Sequence, residues 1–146
     1  MIFNIETVGV IGAGQMGAGI AEVAAQAGMT VSINDVAEER INAALATING
    51  HLSRQVAKGQ IGEAERKAIL DRIKVAPTFD KLGDCDLVVE AASENEEVKR
   101  KIFIALRSSS PICPLATCRD RWPLMVARAA LTRSSATSVS ETVNPA

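Results

Sequence analysis

Gly12-Ala13-Gly14-Gln15-Met16-Gly17 sets three glycines at the spacing G-x-G-x-x-G, and Asp35 follows about 20 residues later. Glycine at the first position lets a strand turn sharply into a helix. At the second it lets a phosphate reach bare backbone, and at the third it lets helix and strand pack closely. The amide groups at the start of such a helix point at an anion. A carboxylate at Asp35 accepts hydrogen bonds from the ribose hydroxyls of an adenosine and repels a 2′-phosphate in their place. Together these residues can hold a dinucleotide, and they favour NAD over NADP.

That chemistry needs a strand before the glycines, a helix after them and a second strand ending at Asp35. Glu6 to Ile11 is mostly β-branched and apolar, as a strand buried on both faces requires. From Met16, Ile20, Val23, Ala24 and Ala27 recur at helical spacing and predict one inward face, with Gly28 as the stop. Thr30 to Asp35 reads as the second strand. Ala37-Glu-Glu-Arg starts a second helix in which Ile41, Leu45, Ile48, Leu52 and Val56 form a stripe, ending near Gly59. A short helix follows from Glu63 to Ile73, with Ile69, Leu70 and Ile73 inward, and then a weak strand at Lys74-Val-Ala. Asp86 to Ala92 is a stronger strand, and Glu96 to Leu106 is helical with Val98, Ile102 and Leu106 inward. Strands alternating with helices predict an α/β fold, a Rossmann-type doubly wound parallel sheet.

Composition excludes other classes. The 146 residues are 47% hydrophobic and 23% charged, with a net charge of -1, so no electrostatic feature points to nucleic acid. The opening residues lack a basic secretory n-region and no apolar run approaches bilayer length, so a soluble cytoplasmic protein is expected. Cys85, Cys113 and Cys118 have no zinc-type spacing and read as free thiols, so no metal is expected. His51 is the only histidine and reads as solvated or capping. Glu96 with Arg100 and Glu97 with Lys101 have the spacing of helix-surface pairs. Glu90, Glu94 and Lys99 follow the carboxyl end of the strong strand, the edge of an open α/β sheet where ligands bind.

Beyond Arg107 the composition shifts to serine, arginine, proline and cysteine, and lysine disappears. Pro111 and Pro114 fall where the next parallel strand belongs and would break its ladder. Only Leu124 to Leu131, after Pro123, reads as locally helical. The expected division is residues 1–106, an incomplete NAD-binding Rossmann domain, and residues 107–146, an atypical tail that is out of frame or disordered. The Asp86 to Ala92 strand would then be an unpaired edge open to homo-oligomer formation unless the tail covers it.

The glycine turn, Asp35 and Cys85-Asp-Leu-Val-Val-Glu-Ala-Ala-Ser-Glu-Asn-Glu-Glu-Val-Lys-Arg-Lys resemble the L-3-hydroxyacyl-CoA dehydrogenase family over about residues 5–106. The resemblance implies that Gly12, Ala13, Gly14, Gln15, Met16 and Gly17 hold the pyrophosphate of NAD. It also implies that Asp35 holds the adenosine ribose and that Glu94 and Lys99 lie near the nicotinamide half. It implies oxidation of a 3-hydroxyacyl-CoA substrate in which hydride passes to nicotinamide while a histidine takes the hydroxyl proton, the histidine lying in a His-Phe-x-Asn-Pro stretch that these 146 residues do not contain. No catalytic residue is therefore assigned, and the chain is expected to retain NAD binding alone. Two other readings stay open: a non-catalytic NAD-binding module, and the 3-hydroxyacid dehydrogenases related to 6-phosphogluconate dehydrogenase. The Glu90 to Lys99 stretch argues against the second.

Overall fold

A run of apolar, β-branched residues with no alternation of polarity forms strands covered on both faces, and such strands form the centre of the sheet here. The computed structural model describes residues 4–92, 95–109 and 115–117. Its strands are β1 (Thr7–Ile11), β2 (Thr30–Asn34), β3 (Ile73–Val75), β4 (Leu87–Glu90) and β5 (Leu115–Thr117). The helices are α1 (Gln15–Gln26), α2 (Glu38–Ala57), α3 (Glu63–Asp71) and α4 (Glu96–Ser109), with a 3-10 turn at Phe79–Leu82. All strand pairs are parallel and the order is β3-β2-β1-β4-β5, the doubly wound arrangement whose direction of winding reverses between β1 and β4. In register, Ile11 lies beside both Asn34 and Glu90, so the carboxyl ends of β1, β2 and β4 come level at one edge.

One core cluster joins Val8, Val10, Val31 and Ile33 of the sheet to Ile41, Ile48 and Leu52 of α2. A second places Ile102 and Leu106 of α4 with Leu82, Cys85 and Val88 against Ile11. The α2 stripe thus points inward as its spacing predicts, with Ala44 joining it and Leu45 and Val56 half-buried at its margin. Ile69 is buried and Ile73 is buried too, but Ile73 opens β3 instead of ending α3.

Two helix faces differ from expectation. In α1 the buried side is Gly17, Ala18, Ala21, Glu22 and Ala25, while Val23 is 66% exposed and Ala27 is exposed. The helix runs so close to β1 that only small residues fit between them, and bulk moves to the flank. In α4, Ile102 and Leu106 are buried but Val98 is exposed. Glu96, Glu97, Arg100 and Lys101 are all exposed, as helix-surface pairs should be.

The tail beyond Leu106 covers the edge of β4. Leu115, Ala116 and Thr117 pair with Val88, Val89 and Glu90, so the sheet continues past the boundary drawn after Leu106. The two prolines did not preclude a strand because they precede the three residues that make the ladder. Among the described residues the edges are β3 and β5, three residues each, and edges that short offer little to a second chain. Pro111, Pro114, Cys113, Cys118 and the candidate helix at Leu124 to Leu131 lie outside the described residues.

Asp86, just before β4, ties that strand to β1. Its Oδ2 accepts the amides of Glu6 (3.0 Å) and Thr7 (2.9 Å) and the Thr7 hydroxyl (2.8 Å). Burial alone would raise the pKa of this carboxyl, but the hydrogen bonds from Thr7 and Glu6 prevail and hold it below its ordinary value. No helix of the described residues is long and apolar enough to cross a membrane.

Candidate functional site

The glycine turn joins β1 to α1, and its three glycines have three different surroundings. Gly12 has φ +97°, a left-handed conformation, and a Cβ there would fall 2.6 Å from the backbone of Ala92. It is fixed by its own backbone angles and by the loop after β4. A Cβ on Gly17 would lie 1.7 Å from the carbonyl oxygen of Gly12, so this residue sets how closely α1 approaches the turn. A Cβ on Gly14 would meet nothing within 4 Å. The space above Gly14 is open.

Burial divides the predicted residues the same way. Gly12, Ala13 and Gly17 are buried and form the frame, whereas Gly14, Gln15 and Met16 are exposed and form the surface. Gly14 is the N-cap of α1 and its carbonyl accepts the Ala18 amide at 2.9 Å, so the N–H groups ahead of Ala18 are those a helix leaves without intrahelical partners. The first turn of α1 carries no acidic residue and no side-chain cap, so nothing on the helix itself offsets its positive end.

Asp35 stands at the end of β2 beside this turn. Its Oδ2 accepts the Ala13 amide at 2.8 Å and its Oδ1 the Ala37 amide at 3.0 Å, so one carboxylate joins the glycine turn to the start of α2. Each carboxylate oxygen has two lone pairs, which leaves further acceptor capacity on both. The next residue, Val36, is 99% exposed and offers an apolar surface beside them. Asn34, one residue earlier, is buried and its Nδ2 donates to the Ala76 carbonyl at 2.6 Å, which fixes the path of β2 into Asp35.

Across the switch point, Glu90 ends β4 with its side chain 0% exposed. It accepts the Ala92 amide at 2.7 Å and forms an ion pair with Lys99, whose side chain is 17% exposed. Lys99 is thus brought to the same sheet edge as the glycine turn, though through Glu90, a partnership that spacing along the chain does not reveal. Glu94 lies outside the described residues. Asn95 caps α4, its Oδ1 accepting the amides of Glu97 (2.9 Å) and Val98 (3.2 Å).

His51 stands apart from this edge. Its Nδ1 is 2.9 Å from Oε2 of the buried Glu22, linking α2 to α1 beside a concavity of about 340 Å³ lined also by Arg54, Gln55, Lys58 and Gln60. No cluster of histidine, cysteine and carboxylate side chains among the described residues is arranged to hold a metal. Cys85 is a buried thiol whose pKa is pushed up by burial and by Asp86 and Asp84, against a hydrogen bond to Ser32.

The 3-hydroxyacyl-CoA dehydrogenase NAD-binding domain model matches residues 7–140. A 3-hydroxybutyryl-CoA dehydrogenase of Bradyrhizobium diazoefficiens is 58% identical over 99 residues, covering 68% of this chain and 34% of that protein. The corresponding Mycobacterium tuberculosis enzyme is 41% identical over 128 residues, covering 86% and 45%. Among solved structures, 3-hydroxybutyryl-CoA dehydrogenase from Escherichia coli superposes with a TM-score of 0.77 at 35% identity, over 87% of this chain and 28% of that one. The (S)-3-hydroxybutyryl-CoA dehydrogenase of Ralstonia eutropha gives 0.72 at 35% identity, over 78% and 41%. The chain spans less than half the length of these relatives. With a family model matched across most of its residues, and with the glycine turn, the carboxylate at β2 and the strand order in place, the chain belongs to the NAD-binding domain family of the 3-hydroxyacyl-CoA dehydrogenases.

Proposed function

We propose that this chain is the NAD-holding part of an enzyme that oxidises 3-hydroxyacyl-CoA to 3-ketoacyl-CoA in cytoplasmic fatty-acid or short-chain acyl-CoA metabolism. When bound, NAD supplies the hydride acceptor for the substrate's C3. The observation that carries the reading is Gly14, whose missing side chain opens a space directly over the uncapped start of α1. There the amides of Gly14, Gln15, Met16 and Gly17 present donors to a pyrophosphate, and Gly12 and Ala13 hold the turn beneath them. Asp35 receives the ribose hydroxyls and, being anionic, disfavours a 2′-phosphate. Lys99 with Glu90, and Glu94 by the resemblance, serve the nicotinamide half on the far side of the switch point. Arg54 and Lys58 at the concavity between α1 and α2 have the charge that CoA phosphates require, which supports the substrate class.

The test is a fluorescence titration of the chain with NADH and with NADPH. Saturable binding of NADH at least about tenfold tighter than NADPH is expected from the carboxylate at Asp35. Equal affinities would remove Asp35 from the site, and binding of neither by folded protein would remove the site itself.

A further inference from the structure

The Glu90–Lys99 pair sits where the sheet edge must meet the cofactor. Glu90 is the last residue of β4 and lies in register with Ile11, the last residue of β1, directly before Gly12. A dinucleotide laid from Asp35 across the glycine turn continues over the end of β4, because β4 lies on the opposite side of β1 from β2. Its second half therefore lies over Glu90 and Lys99.

The placement of Lys99 is unfavourable in two respects. It stands in the first turn of α4, where the helix dipole disfavours a cation, and its side chain is mostly withdrawn from water. Glu96 and Glu97 occupy the same turn but are exposed. Only Glu90, fully buried, offers a carboxylate in contact with it among the ion pairs of the described residues. A buried ion pair adds little net stability over apolar residues of the same size, so stability alone does not account for this one.

We propose that Glu90 is a positioning residue that acts electrostatically. It holds the Lys99 ammonium in place while cancelling its charge, so that the crevice accepts the positively charged ring of oxidised nicotinamide as readily as the neutral ring of the reduced form. The inference rests on the NAD-binding reading above. Loss of the Glu90 carboxylate adds one net positive charge at this edge, which disfavours NAD+ relative to NADH and biases the site toward the reduced cofactor. The pair also anchors the loop through the Ala92 amide, and Ala92 packs against Gly12, so Glu90 steadies the glycine turn as well.

The experiment measures the ratio of the NAD+ and NADH dissociation constants by calorimetry for the chain, for Glu90→Gln and for Glu90→Gln with Lys99→Met. Glu90→Gln is expected to raise the NAD+ to NADH ratio about tenfold, the effect of one uncompensated charge within several ångströms at a protein surface. The double variant is expected to restore the original ratio, which a loss of packing would not do. Should Glu90→Gln fail to fold, Lys99→Gln, which removes the ammonium and keeps Glu90, is expected to move the ratio the other way. An unmoved ratio in the variant that folds overturns the inference while leaving the binding site intact. Binding of neither cofactor by the parent chain overturns the NAD reading and this inference with it.

Discussion

Replacing Gly17 by alanine tests the packing that shapes the turn, and replacing Gly14 tests the space that the turn leaves open. A Cβ at Gly17 would sit 1.7 Å from the Gly12 carbonyl oxygen, where real contacts begin at about 3.0 Å, so α1 must retreat by more than an ångström. The obstacle is backbone, which no rotamer change relieves. Retreat also separates Ala18, Ala21 and Ala25 from β1. Overpacking of this kind costs about 3 kcal/mol, the upper end of the usual range, which lowers the melting temperature of a chain this size by about 10 °C. Gly14, with φ -76° and ψ -168°, has backbone angles open to any residue and no neighbour for its Cβ, so Gly14→Ala changes stability by less than about 1 kcal/mol. It should nonetheless weaken NADH binding at least about tenfold, because the methyl fills the phosphate cradle. Thermal unfolding by circular dichroism and titration with NADH read the two effects separately. A Gly17→Ala chain melting within about 2 °C of the parent would refute the close approach of α1. A Gly14→Ala chain binding NADH normally would refute the cradle.

Other residues give independent outcomes. Lys99→Met leaves the buried Glu90 carboxylate without its ammonium and should destabilise the fold by about 3 kcal/mol in chemical denaturation, most of it recovered by adding Glu90→Gln. Asp35→Ala should weaken NADH binding and also speed hydrogen exchange at the Ala13 amide, since the same carboxylate accepts that N–H. Because the folded state lowers the Asp86 pKa below 3.8, this carboxylate stabilises the fold above that pH and the contribution is lost as pH falls through the lower, folded value. The melting difference between the parent and Asp86→Asn should therefore shrink from pH 7 to pH 3. Burial foremost keeps Cys85 protonated at neutral pH, so peptide mapping should find it unalkylated by iodoacetamide until the chain unfolds.

The features legible in the sequence were those whose physics is local. Three glycines before a helical run can be read because each answers a backbone demand, and the continuous apolar runs of β1 and β4 because both faces are covered. The inward face of α1 was not legible from hydrophobicity. Its packing is decided by the closeness of Gly17 to Gly12, and alanines displaced the larger Val23 from the interior. The Glu22–His51 link joins residues far apart in sequence, and no spacing rule places α1 against α2. Glu90 did carry a signal, a carboxylate set directly within an otherwise apolar strand run, which marks a buried charge that needs a partner. Strand β5 was hidden because three residues between prolines and polar segments make too short a pattern, and only pairing with β4 defines it.

Whether the edge formed by the glycine turn and Asp35 holds NAD is decided by an amide-resolved NMR titration of the chain with NADH. Saturable shifts are expected, concentrated at the amides of Gly12 to Gly17 and around Asp35 and Ala37. Shifts confined to the residues around His51, Arg54 and Lys58, or none in folded protein, would place the cofactor elsewhere or nowhere on this chain.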